Sequence, residues 1–330
     1  MSLDILKKQL ASGQLARLYL LYGEEGYLKT FYRDKIAKTA VDGMESFNLH
    51  RFDDEVDFSR LTAALDNLPM MSRRKCVILR DVDPDGLKSD EWKQLQRLCR
   101  DLPEDTVMIL HFDALAYDKK SSRWRTLLHL AGKAGLAVEI GRQSPAALSR
   151  WLQKGAKAAG CLLSPENAGA IVGICGDDMN TLSRELAKFC ACTGSGEIAR
   201  ATIDALAVRS VETSVFDLSR AVTAGNLERA LEIIRELYER KEEPIGIVAV
   251  LSGAVCDLFR AKAAILSGAR ESDVAEAFHV PKNRSFTIRY AMRDAKGLPL
   301  AVLREDLALL LQADIRLKSS RGDSRVVLER

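Results

Sequence analysis

The stretch that decides the fold is "LYLLYGEEGYLKT", residues 18–30 of the 330-residue chain. Its first five residues are apolar or aromatic, a run that predicts a strand buried on both faces. Gly23, Lys29 and Thr30 then match the phosphate-binding loop G-x-x-x-x-G-K-[ST], which joins a strand to a helix. Leu28 stands where that loop has its second glycine. The stretch therefore predicts a nucleotide-binding type of α/β unit with a degenerate phosphate loop.

The residues around this loop bear on whether it can still hold a nucleotide. The second glycine lets backbone N–H groups approach a phosphate closely, and the branched side chain of Leu28 stands in their way. A working site also needs an acidic residue at the end of a neighbouring strand to hold magnesium. Asp81 and Asp83 are the candidates, but no adjacent Asp-Glu pair follows the strand. Hydrolysis is disfavoured, and an ATP-hydrolysing enzyme that tolerates Leu28 is the open alternative.

Three more short apolar runs follow in the first third of the chain: "CVILR" at 76–80, "TVMILHF" at 106–112 and "LAVEI" at 136–140. Helical patterns separate the first three of the four runs, and this alternation predicts parallel strands in a three-layer α/β domain that ends near residue 141.

Two helices in this domain have predicted features of their own. The pattern over residues 58–68 places Phe58, Leu61, Leu65 and Leu68 on one face at helical spacing. The next helix is predicted to have Ser89 as its N-cap and to end before Pro103.

The rest of the chain reads as helix. Ser-Pro pairs at 144–145 and 164–165 predict capped helix starts in a small helical domain over residues 142–210. Residues 211–330 predict a larger helical bundle. Its most apolar helix begins at Pro244, and its uncharged part is shorter than the roughly 20 residues that span a bilayer, so we expect a buried helix and no membrane contact.

Composition sets further limits. The chain is 47% hydrophobic and 29% charged, as in soluble globular proteins. Lys and Arg number 49 against 46 Asp and Glu, so a strongly basic nucleic-acid binder is disfavoured while a local basic patch is not. The seven cysteines form no C-x-x-C pair, and we expect reduced thiols and no metal site. The N-terminus lacks a secretory signal pattern, which predicts a cytoplasmic protein.

The connection before the second apolar run, "LPMMSRR", has an unusual composition. Pro69 cannot continue a helix, and Met70 and Met71 occupy a turn where polar residues are expected. Methionine is flexible and polarizable, which suits a protruding anchor for a hydrophobic pocket. The alternative is that both side chains fold back onto the sheet edge. The candidate protein-binding residues are Leu68, Pro69, Met70, Met71, Ser72 and Arg73.

An ordered set of segments resembles the delta subunit family of the bacterial DNA polymerase III clamp loader: "LYLLYGEEGYLKT", "LPMMSRRKCVILRDVD", "GDDMNTLSRELAKFC" and "LLLQADIRLKSS". The resemblance implies an AAA+-like α/β domain (1–141), a helical lid (142–210) and a helical collar that joins other subunits (211–330). It implies no catalytic, cofactor or metal residues, with ATP bound only by partner subunits of the polymerase holoenzyme. A delta-prime-like subunit of the same loader is the remaining alternative.

The resemblance also implies a role for the candidate residues 68–73. In DNA replication they would enter a hydrophobic pocket of the sliding clamp (beta) and help to open the ring for loading on primed DNA. Members of the family often carry an aliphatic residue and then Phe at this place, where this chain has Met70 and Met71. The implied partners are the clamp, the gamma/tau and delta-prime subunits, and primer–template DNA within the complex.

Overall fold

The computed structural model describes residues 2–53, 55–223, 225–279, 285–319 and 324–329, in two compact units, Met1–Arg142 and Gln143–Arg330. The elements of the first unit are α1 Ser2–Ser12, β1 Leu18–Tyr22, α2 Gly26–Ala40, α3 Glu45–Asn48, β2 Leu49–Phe52, α4 Phe58–Asp66, β3 Lys75–Arg80, α5 Ser89–Arg100, β4 Thr106–His111, α6 Ser122–Ala134 and β5 Gly135–Glu139.

The strands of the first unit form one parallel sheet in the order β2-β3-β4-β1-β5. Leu20 in β1 lies opposite Leu110 in β4 and Ala137 in β5. The phosphate-loop stretch follows the carboxyl end of β1, and the connection with the two methionines precedes the amino end of β3. Because the strands are parallel, these two segments lie at opposite ends of the sheet.

Helices cover both faces of the sheet. Side chains from β1, β3 and β4, among them Leu20, Leu79 and Leu110, form one buried core with residues of α4, α5 and α6. On the other face α1 packs against β5, and α2 packs against β1, β3 and β4. The three-layer α/β arrangement predicted from the alternating pattern is confirmed.

Several local predictions were wrong. Strand β2 was not predicted, because it is a four-residue edge strand in which only Leu49 and Phe52 are apolar. Helix α4 ends at Asp66, so Leu68 does not belong to its inner face, and its side chain is 84% exposed. Ser89 is the first residue of α5 rather than its cap, and Lys88 precedes the helix.

The second unit is almost entirely helical. Its elements are α7 Pro145–Ala158, β6 Cys161–Leu162, α8 Pro165–Cys175, α9 Met179–Thr193, β7 Gly196–Glu197, α10 Arg200–Leu206, α11 Val211–Thr223, α12 Leu227–Glu239, α13 Pro244–Ser267, α14 Glu271–Ala277, α15 Ser285–Asp294, a 3₁₀ turn at Ala295–Gly297, α16 Leu300–Ser319 and α17 Ser324–Glu329. The predicted caps are confirmed, since Ser144 and Ser164 accept hydrogen bonds from the backbone of the first turns of α7 and α8.

Two groups of helices pack within this unit. Helices α7, α8 and α9 contact one another, and α13 packs against α11, α15 and α16. By length and hydropathy α13 could cross a membrane; 33% of its apolar window is buried, and Ile247, Val255 and Leu258 are among the residues that pack against its neighbours. The Glu185 carboxylate accepts a hydrogen bond of 3.1 Å from the Val208 N–H, which ties the segment before α11 to α9. The boundary near residue 210 stays a prediction.

Candidate protein-binding site and closed phosphate loop

The backbone of Ile140 lies against the phosphate-loop stretch. Gly23 has a φ of +115°, and a Cβ there would stand 2.5 Å from the Ile140 carbonyl oxygen. The same oxygen accepts a hydrogen bond of 3.0 Å from the Glu25 N–H. At least one backbone donor of the loop is therefore used within the protein, and Gly23 has no room for a side chain.

Lys29 occupies the lysine position of the phosphate-loop pattern, yet its side chain is buried. Its Nζ donates to the carbonyl oxygens of Phe112 at 2.6 Å and Asp113 at 3.1 Å, just beyond β4. Burial lowers the pKa of Lys29, and the nearby carboxylates of Asp113 and Asp81 oppose that shift. The ammonium group is thus held by backbone carbonyls of its own chain.

Asp81, one of the two candidate magnesium ligands, also has internal partners. Its Oδ1 accepts from the N–H groups of Asp113 at 2.7 Å, Ala114 at 2.9 Å and Leu115 at 3.2 Å. Its backbone has a φ of +52°, an uncommon conformation for a side-chain-bearing residue. The carboxylate therefore organises the turn after β4. Among the residues that the structure describes, no group of three or more His, Cys, Asp or Glu could hold a metal ion.

His111 completes this end of the sheet. It is fully buried at the end of β4, with its Nδ1 3.5 Å from Nη1 of Arg33. Burial, together with the cations of Arg33 and Lys29, lowers the pKa of His111 to about 4. The imidazole is consequently neutral near pH 7. Its Nε2 has no hydrogen-bond partner within the described ranges.

The connection between α4 and β3 is anchored at its base by Lys75. The buried Nζ of this residue donates to the Leu65 carbonyl oxygen at 2.5 Å and also to the Asn67 carbonyl oxygen. These are carbonyls at the end of α4 that have no partner within the helix. Burial lowers the pKa of Lys75, an effect that Asp105 and Asp66 oppose. The lysine fixes where the chain leaves α4.

Beyond this anchor lies an apolar tip, by which we mean residues 68–73. The side chains of Leu68, Met70 and Met71 are 84%, 48% and 82% exposed. They are therefore not folded onto the sheet edge, which was the alternative left open by the sequence. Pro69 and Ser72 are partly buried, and Arg73 is exposed. The structure brings all six candidate residues together at one end of the unit.

A second segment, residues 42–48, lies against the tip and is called the bracket below. The Asn48 amide donates to the Met70 carbonyl oxygen at 2.7 Å and accepts from the Met70 N–H at 2.7 Å. The Asp42 carboxylate accepts from the Ser72 hydroxyl at 2.6 Å and from the Arg73 N–H at 3.1 Å. Hydrogen bonds thus join the bracket to the backbone on both sides of Met71.

The bracket adds apolar surface that the sequence reasoning missed. Phe47 is 55% exposed and Met44 is 43% exposed, both within the segment that contacts the tip. The one sequence clue is the pair of large apolar residues in the "GMESFN" stretch between a helix and an edge strand. Two hydrogen-bonded segments, the bracket and the tip, therefore both carry exposed apolar side chains at the amino end of the sheet.

The fold is shared with a solved clamp-loader protein. The Bacillus subtilis DNA clamp loader delta protein superposes on the whole chain with a TM-score of 0.63 at 24% identity, and 97% of that protein is covered. This match and the parallel five-stranded sheet show that the chain has the fold of that protein, an α/β domain in the first unit and a mostly helical second unit.

Sequence comparisons specify the family. The family described as "DNA polymerase III, delta subunit" matches residues 19–137, and "DNA polymerase III delta subunit, C-terminal domain" matches residues 212–330. DNA polymerase III subunit delta of Bacillus subtilis is 25% identical over 98% of this chain and 93% of its own length. The Haemophilus influenzae subunit is 23% identical over 74% of this chain and 71% of its own length. The chain belongs to the DNA polymerase III delta subunit family, as the resemblance predicted.

Proposed function

We propose that this chain is a non-catalytic clamp-loader subunit that binds and opens the sliding clamp so that the ring can be placed on primed DNA. The observation that carries this proposal is the exposed tip, where Leu68, Met70 and Met71 present apolar side chains to solvent. Exposed apolar groups gathered at one place mark an interaction site, and aliphatic anchors fit a hydrophobic pocket. In this proposal the pocket lies on the sliding clamp, which membership of the DNA polymerase III delta subunit family supports.

Opening a ring requires that the tip bind one state of the clamp more tightly than another. A ligand shifts an equilibrium only by its difference in affinity for the two states. In the proposed mechanism the tip binds well only to a clamp with one interface strained or opened. The free energy gained by burying the methionine side chains then offsets the strain in the ring.

The remaining partners follow from the same proposal. The gamma/tau and delta-prime subunits would join the helical bundle of residues 211–330, and they would bind the ATP of the complex. Primer–template DNA would be held through phosphate contacts, which carry no sequence information. The assembly would act in the cytoplasm, away from any membrane.

An ATP-hydrolysing enzyme is the alternative from another class, and the loop geometry argues against it. Catalysis of phosphoryl transfer relies on a lysine and a metal-binding carboxylate that reach the phosphates. Here Lys29 is bonded to the carbonyls of Phe112 and Asp113, and Asp81 holds the turn after β4. Both groups would have to give up these partners before they could contact a nucleotide.

The test is calorimetric binding of the purified chain to its cognate sliding clamp. Replacing both anchors, in the variant Met70→Ala/Met71→Ala, should weaken the affinity at least about 30-fold, because truncated interface anchors cost about 1–2 kcal/mol each. Leu162→Ala is the control, since Leu162 is an exposed aliphatic residue in the second unit. Circular dichroism checks the fold of each variant. Clamp binding that survives the double change would overturn the proposed site.

Opening is measured separately from binding. A fluorophore pair across one interface of the clamp should report ring separation when the native chain is added, and the double variant at saturating concentration should not produce it. If the chain binds the clamp tightly but the distance stays closed, the opening role is wrong while the binding role stands.

A further inference from the structure

We infer that Asn48 is a positioning residue for clamp binding, and that the bracket holds the tip in its binding conformation before the clamp arrives. This inference rests on the proposed function, because it concerns the same contact. Asn48 lies outside the six candidate residues. Its side chain is only 1% exposed, so it acts on the clamp through the tip rather than by touching it.

The hydrogen bonds of Asn48 define its role. Its Nδ2 donates to the carbonyl oxygens of Gly43 at 2.8 Å, Met44 at 3.2 Å and Met70 at 2.7 Å. Its Oδ1 accepts the Met70 N–H at 2.7 Å. One buried amide therefore fixes the bracket and the tip relative to each other. Aspartate would keep an acceptor but lose every donor, and alanine would lose both.

The backbone of the tip needs such support. Met71 has a φ of +49°, in the left-handed region, which is unfavourable for a residue with a side chain. A flexible connection would leave this conformation, which persists only where neighbouring groups fix it. Asn48 holds the backbone before Met71, and Asp42 holds Ser72 and Arg73 after it.

The bracket also approaches the tip too closely for an extra side chain. A Cβ on Gly43 would stand 2.8 Å from the carbonyl oxygen of Met71. The two backbones are therefore packed directly against each other at this point. The Asp42 carboxylate is charged in this setting, because the hydrogen bonds from Ser72 and the Arg73 N–H lower the pKa of Asp42.

An ordered tip matters for affinity. A segment that becomes ordered only on binding loses conformational entropy at that moment and binds more weakly than a preorganised one. The bracket removes that cost by ordering the tip within the free protein. Loss of the bracket should therefore weaken clamp binding although every clamp-contacting side chain is still present.

The experiment combines clamp affinity with tip order in the free chain. Methyl-labelled methionine gives an NMR signal for Met71, assigned from Met71→Ala. Asn48→Ala should weaken clamp binding about tenfold and should make the Met71 methyl more mobile in the absence of clamp. Asn48→Asp should behave in the same way. Asn167→Ala is the matched control, since Asn167 is a buried asparagine that donates to the Ile198 carbonyl oxygen in the second unit.

Two outcomes would overturn the inference while leaving the proposed function intact. One is native affinity in Asn48→Ala with a mobile Met71 methyl, and the other is weakened binding with a methyl as rigid as in the native chain. Failure of the proposed function is distinguishable, because then the native chain and Met70→Ala/Met71→Ala would bind equally or not at all.

A second variant covers the case in which Asn48→Ala does not fold. Asp42 lies on the surface, so Asp42→Ala should leave the fold intact. It removes the acceptor of Ser72 and Arg73 and should weaken clamp binding about threefold, with a more mobile Met71 methyl. Unchanged affinity and unchanged mobility in this variant would count against the bracket.

Discussion

The two ends of the parallel sheet differ in what they expose. At the carboxyl end, the groups that resemble a nucleotide site are bonded to their own chain: Lys29 to two carbonyls and Asp81 to three N–H groups. At the amino end, Met71 and Leu68 extend into solvent from a backbone that the bracket holds. Lys29 and Asp81, which by their spacing resemble nucleotide-binding residues, hold the fold together. The tip, which carries no reactive groups, is the candidate binding site.

The largest expected effect is on stability and concerns the carboxyl end of the sheet. Asp81→Ala leaves three backbone donors after β4 without their acceptor, and we expect a loss of about 3 kcal/mol in the free energy of unfolding. Urea unfolding would be followed by tryptophan fluorescence in a Trp151→Phe background, which leaves only Trp92 and Trp124, both in the first unit.

Asp81→Asn is the matched control for this change. Asparagine keeps an oxygen acceptor and tolerates the left-handed backbone at this position, so the loss should be clearly smaller. Equal stability of the alanine variant and the native chain would mean that the carboxylate does not organise the turn. The contrast between the two ends of the sheet would then fail.

A smaller effect, on clamp affinity, is expected from Phe47→Ala at the amino end of the sheet. Phe47 contributes exposed aromatic surface beside the tip, and its truncation should weaken clamp binding about fivefold, equivalent to about 1 kcal/mol. Phe31→Ala is the control, because Phe31 is a similarly exposed phenylalanine on α2. Equal losses in both variants would show that the effect is not specific to the surface around the tip.

The last change, Leu28→Gly, is expected to have no effect on ATP binding. Leu28→Gly restores the phosphate-loop sequence pattern, yet Lys29 and the loop backbone remain bonded to Phe112, Asp113 and Ile140. We therefore expect no saturable ATP binding in the millimolar range, measured with a fluorescent ATP analogue beside a phosphate-loop ATPase as positive control. Micromolar binding would show that Leu28 alone closes the site.

The strands that the sequence predicted are those whose residues form apolar runs. Strands β1, β3 and β4 read as apolar runs because helices bury both of their faces. Strand β5, at the end of the sheet order opposite β2, is mostly half-buried but still apolar over residues 136–138. Strand β2 lies at the edge, where His50 and Arg51 interrupt the pattern, and it was missed. Leu68 was misplaced because helical spacing continues past Asp66 in the sequence, while the α4 helix does not.

The site was predictable only in part, for a physical reason. Methionines in a turn are a local anomaly, so the tip could be recognised from neighbouring residues. The bracket contacts join positions 22 and 30 residues apart, between Asn48 and Met70 and between Asp42 and Ser72. No periodicity links such positions. In the same way Leu28 indicated a lost glycine, but not that Lys29 would bind carbonyls beyond β4.

The closed loop has a consequence for timing. In the proposed function this chain binds no nucleotide and cannot sense the ratio of ATP to ADP, so the intrinsic strength of the tip contact would be the same at every stage of a loading cycle. The timing of clamp binding must then be set by other subunits, which would cover or uncover the tip. This chain would contribute a constant affinity for the clamp, and the neighbouring subunits would determine when the tip is accessible.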